Sequence, residues 1–113
     1  MSRLITHLLS RAVPDVQIES ARVFKAANIY WFVVEPDHYS YWDRFRKIHL
    51  NWKRIALKYK AVKVSVASPG FCPAFTSGED LFNWMFDVLE LTQGERNLLL
   101  LCVRYDVKGV DPF

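Results

Sequence analysis

The sequence predicts a mixed α+β fold: a four-stranded sheet with helices packed on it, in the order α-β-β-α-β-α-β. Three observations carry this prediction. Residues 29–35, IYWFVVE, form an unbroken β-branched and aromatic run. Residues 38–60 repeat apolar side chains every three or four positions. Residues 61–68, AVKVSVAS, alternate apolar and polar with period two. The first and third patterns are those of strands, the second that of a helix. A chain of 113 residues has the length of one domain, and 107–113, without periodicity, reads as a short tail.

Residues 2–12 read as a short amphipathic helix that ends before Pro14. Arg3 and Arg11 lie on one side of it, and Leu4, Leu8 and Ala12 on another. Mitochondrial presequences share that pattern, but a helix packed on the domain is the simpler reading. Residues 16–24 have strand character, with Val16, Ile18 and Val23 among polar neighbours. A turn at 25–28 joins them to the 29–35 run, making a hairpin. The continuous apolar run predicts a central strand buried on both faces.

Pro36 ends that strand and Asp37 can cap the helix that follows. In this helix Tyr41, Phe45, Ile48, Trp52, Ile55, Ala56 and Tyr59 share one face. Arg44, Lys47, Asn51, Arg54 and Lys58 occupy the other. The strand–helix–strand unit over 29–68 predicts a right-handed crossover that leaves its two strands parallel.

Residues 68–78, SPGFCPAFTSG, hold two prolines and two glycines and predict a long loop. Ser77 and Asp80 have the spacing of an N-cap. Residues 81–91 form a second helix, apolar around most of its circumference. Thr92-Gln-Gly-Glu95 could cap a helix, and the LLLLC run over 98–102 would suit a buried one. Against it, Val103, Tyr105 and Val107 alternate with charged residues. The sequence therefore predicts a strand over 97–107, with a helix as the alternative. The predicted core includes Trp31, Phe32, Val33, Trp52 and Leu99.

Composition narrows the function classes. Hydrophobic residues make up 51% of the chain and charged ones 24%, which excludes disorder. Aromatics reach 15%, more rings than a small core needs, so some should sit at an interface. No apolar run is long enough for a membrane span. No secretory signal is evident, so the expected location is intracellular, cytoplasmic or nuclear. Two cysteines, Cys72 and Cys102, lack zinc-site spacing and are expected to be reduced and unbridged.

Charge is concentrated in blocks. Residues 41–60 hold Arg44, Arg46, Lys47, Lys53, Arg54, Lys58 and Lys60 against Asp43. Residues 76–95 hold Glu79, Asp80, Asp87, Glu90 and Glu95 with no base. On a helical wheel Arg44, Lys47, Arg54 and Lys58 fall within roughly 80°, while Arg46 and Lys53 lie on a flank. A straight polyanion could touch the first four. The plainer reading is a solvated helix face.

Catalytic signals are weak. His7 and His49 have no partner pattern. Glu35, Asp37 and His38 cluster locally, but a capping role accounts for Asp37, so no metal site is assigned. Metal-dependent nucleases share a Pro-Asp pair after a strand; the next strand here, VKVSV, lacks the acid-x-lysine they need. Cys72 between two prolines suits a rigid turn better than a nucleophile. No phosphate loop, serine elbow or dinucleotide fingerprint is present. No cofactor is expected.

The expectation is a small non-enzymatic binding protein, homo-oligomeric and dimeric. Its working surface would be the basic helix, 41–60, with Arg44, Lys47, Arg54, Lys58, Arg46 and Lys53 contacting nucleic acid or an acidic partner. The alternative is a protein–protein inhibitor or adaptor, of the kind viruses and phages use as accessory proteins. It would bind through aromatic surface and the acidic helix around Asp80, Asp87 and Glu90.

Overall fold

The computed structural model describes residues 2–13, 18–36, 42–67 and 70–106. The fold is mixed α+β: among the described residues it has four helices and a four-stranded antiparallel sheet. In chain order the elements are α1 (Ser2–Ala12), β1 (Ile18–Ala26), β2 (Ile29–Pro36), α2 (Trp42–Lys58), β3 (Lys63–Ala67), β4 (Gly70–Phe75), α3 (Gly78–Leu89) and α4 (Gln93–Asp106). The sheet order is β1-β2-β4-β3.

Helix α1 places Ile5, Leu8 and Leu9 in the core against β1, so it is a packed helix. β1 and β2 form the predicted hairpin. Its turn is only Ala27–Asn28, both at positive φ, 53° and 61°. That pair of angles is the type I′ signature, whose twist matches the flanking strands. The register shifts between Ile18 and Ser20. The bulge returns Ile18 to the face of Ala21 and Val23, an odd spacing that a regular strand would split.

Helix α2 buries Trp52 and Ala56 and half-buries Ile55 and Tyr59, as its periodicity predicts. It ends with Lys60 at φ 66° and the Ala61 N–H donating to the Ala56 carbonyl at 2.9 Å. Helix α3 ends in the same way: Glu90 has φ 50°, and the Leu91 N–H donates to the Phe86 carbonyl. Both are Schellman closures that use a side-chain-bearing residue where glycine is usual.

Two expectations need correction. Residues 70–75, read as loop, are β4. Phe71, Pro73 and Phe75 face the core, while Cys72 and Ala74 face the other side by their pairing with Ser65 and Trp31, a period-two pattern although Ala74 is itself fully buried. Pro73 hid it, because proline is disfavoured inside a central strand. Here the ladder to β2 pairs Tyr30 with Phe75, Trp31 with Ala74 and Val34 with Phe71, passing over Cys72 and Pro73. The second correction concerns the strand expected over 97–107: residues 97–106 lie in helix α4, and Val107 lies outside the described residues. Thr92 Oγ1 accepts from the Glu95 N–H at 3.3 Å, and Glu95 Oε1 accepts from the Thr92 N–H at 3.0 Å. This reciprocal box nucleates the helix, and Leu99 and Val103 then meet the core at helical spacing.

β2 and β3 both run antiparallel to β4, so they are parallel to each other, as expected, but with β4 between them. α1, α2 and α3 all pack on one side of the sheet. Trp84 of α3 is fully buried at the centre. Its ring centroid lies 5.1 Å from Phe32, 5.9 Å from Phe75, 6.1 Å from Phe71 and 6.2 Å from Trp52. Its indole N–H donates to the Trp52 carbonyl at 3.0 Å, tying α3 to α2. Of the predicted core, Phe32, Trp52 and Leu99 are buried. Trp31 and Val33 are only half-buried, because β2 is covered by helices on one face alone.

Candidate binding face on helix α2

Three of the six predicted contact residues, Lys53, Arg54 and Lys58, are described in full, and all three are exposed. Arg44, Arg46 and Lys47 belong to the first half of α2, and their side chains lie outside the described residues. Asp37 and His38 also lie outside them. Burial of Trp52 and Ala56 fixes the helix's rotation, so its cationic side faces water. Arg54 Nη2 donates to Asn51 Oδ1 at 2.7 Å. Lys58 Nζ lies 3.6 Å from Asp87 Oδ2 and 5.2 Å from the Tyr59 ring centroid. The Tyr59 hydroxyl donates to the same Asp87 oxygen at 3.0 Å.

The two charge blocks therefore meet inside one chain at Lys58 and Asp87. A second junction joins α1 to α4, where Arg11 Nη1 and Nη2 both donate to the Glu95 carboxylate. With the Thr92 N–H, this holds the Glu95 carboxyl down at about 2, against an ordinary 4.5. Asp87 and Glu95 thus have cationic partners within the chain, which leaves Glu79 in α3 and Glu90 at its C-terminal cap as exposed acids.

The cationic face also holds leucines that the charge pattern concealed. Leu50 is 62% exposed and Leu57 59% exposed. They stand seven residues apart, so they line up along the helix. At 100° per residue they run between Lys53 on one side and Arg54 and Lys58 on the other. Val62, just past the helix, is exposed as well. The wheel contained this signal, since seven-residue spacing keeps both leucines off the core face.

Catalytic geometry is sparse. A shallow cavity of about 320 Å³ is lined by Tyr59, Asn83, Phe86, Asp87, Glu90 and Arg96. Its polar groups engage one another: Arg96 lies 5.2 Å from the Phe86 ring centroid and donates to the Leu91 carbonyl, and Asp87 is held as described. Among the described residues no three His, Cys, Asp or Glu side chains converge as a metal site. Cys72 and Cys102 are unbridged. Burial pushes the Cys72 thiol up, with Arg22 and Lys63 opposing, so it rests protonated. His7 is exposed on α1, across the sheet from Cys72. No described helix is long and apolar enough to cross a membrane. No family model matches the chain, and no curated protein or solved structure is detectably similar to it.

Proposed function

We propose that the chain is a binding protein whose working surface is the solvent face of α2 and whose partner is an acidic protein. The observation that carries this reading is the exposed Leu50–Leu57 line with cations on both flanks. Phosphates gain nothing from leucine, whereas a protein partner can bury it: each leucine taken out of water contributes about 1.5–3 kcal/mol. The surrounding Lys53, Arg54 and Lys58 would steer and orient a carboxylate-rich surface. Self-association through α2 alone would set these cations against their own copies, so the charge favours a different partner.

Two variants and one treatment test the reading. The protein is captured from its native host with and without nuclease, as wild type, as Lys53→Glu/Arg54→Glu and as Leu50→Ser/Leu57→Ser. The expected result is nuclease-resistant capture of one acidic protein, lost in both variants by more than tenfold. Capture that is nuclease-sensitive and survives the leucine variant assigns the face to nucleic acid, as a steep salt dependence also would. Retention in both variants would make the face ordinary solvated surface.

A further inference from the structure

The outer face of the sheet, opposite the helices, breaks the usual pattern. Antiparallel sheets with one solvated face alternate apolar and polar side chains. β2 does not: its inward residues are Phe32 and Val34, and its outward ones are Trp31 and Val33. Phe24, Trp31 and Val33 are half-buried and stand outside the helix-side core cluster, as does Ala74, which is itself fully buried, and α1, α2 and α3 pack on the other side. One row crosses all four strands: Phe24 opposite Trp31, Trp31 opposite Ala74, Ala74 opposite Lys63. The Phe24 and Trp31 rings are parallel within 10°, centroids 6.2 Å apart.

Cations stand at both edges of this face. Arg22 of β1 lies 5.2 Å from the Phe24 ring centroid and is exposed, as is Lys63 of β3. The one acid among the described outward residues is Glu35, next to Val33's end of β2. Flat rings between edge cations complement a chain that alternates flat bases with phosphates. Packing against a second copy fits less well, because it would enclose two cations and one carboxylate from each side in a single interface.

We propose that this face is a stacking platform for single-stranded nucleic acid, with Trp31 and Phe24 taking bases and Arg22 and Lys63 taking phosphates. The site is separate from the α2 face and does not depend on its partner.

Fluorescence anisotropy of labelled dT20 and rU20 with the full chain tests this. Wild type is expected to bind, with affinity falling as salt rises. Trp31→Ala should weaken binding by between about five- and a hundredfold, the range for one stacked base. Trp31→Phe, which keeps a ring, should stay within a few fold of wild type. Arg22→Gln/Lys63→Gln replaces two exposed side chains and should flatten the log–log salt slope by about 1.4 for two lost single-strand phosphate contacts. Lys53→Glu/Arg54→Glu should bind as wild type does, which separates this site from the α2 face. The proposal is overturned if wild type does not bind. It is also overturned if the sheet variants bind unchanged, if only the α2 variant loses binding, or if wild type is a dimer that Trp31→Ala dissociates.

Discussion

Replacing Trp84 tests the packing that positions α2. The side chain is fully buried, meets four aromatic rings, and bonds the Trp52 carbonyl through its indole N–H at 3.0 Å. Truncating a buried tryptophan to alanine costs about 3–5 kcal/mol. The lost hydrogen bond adds about 1 kcal/mol. It adds no more because the Trp52 carbonyl sits inside α2 and keeps its helical donor. Trp84→Ala should thus lose about 4–6 kcal/mol. A domain of 113 residues has a total stability on the order of 6–17 kcal/mol. Its unfolding entropy is about 0.24 kcal/mol/K, so Tm should fall by roughly 15–25 °C. Trp84→Phe keeps a ring against Phe32 but loses the hydrogen bond and part of the volume; about 1.5–2.5 kcal/mol is expected. Urea unfolding followed by far-UV circular dichroism measures both, and the m value should not change. A loss below about 2 kcal/mol for Trp84→Ala would refute the central packing described for α3.

Lys60→Gly and Glu90→Gly should each stabilise by about 0.5–1 kcal/mol, because both positions hold left-handed backbone at a helix end; a lower Tm would refute the Schellman assignment. Ala27→Asn with Asn28→Gly supplies the preferred type I′ pair and should raise Tm by a few degrees, measured by calorimetry. Glu95 titrates low in the folded protein, so the pairing stabilises fully above about pH 4.5 and is lost as pH falls toward about 2. Arg11→Gln should lift the Glu95 carboxyl in an NMR titration and flatten the stability profile in that window; an unchanged Glu95 titration would sink the assignment. Lys53→Glu/Arg54→Glu should leave Tm within about 2 °C of wild type, since exposed charges add little to folding.

Strong local signals survived folding and conflicting ones did not. The helical repeat through Trp52 and Ala56 placed α2, and the β2 run placed the hairpin, because each carries many residues voting one way. β4 was hidden by Pro73, whose missing N–H is tolerated where the ladder to β2 passes over it. α4 carried two opposed signals: a four-residue capping box and an alternation further on. The box prevailed because its two hydrogen bonds act at nucleation, the costly step, whereas the alternation needed a sheet edge to join.

The basic face was legible as charge but not as a binding geometry, since counting cations passes over Leu50 and Leu57 between them. The β2 run was legible as apolar on two sides, and the fold covers it with helices on one. Both are places where the chain puts large apolar or aromatic side chains on surface that patterning for stability alone would make polar. The two differ in shape and in what they reward. A helix ridge with leucines seven apart suits the groove of a protein, and a flat row of rings suits stacked bases. Single-site charge reversals at Arg54 and at Lys63 should therefore act on different ligands, and loss of both ligands from either reversal alone would count against two separate sites.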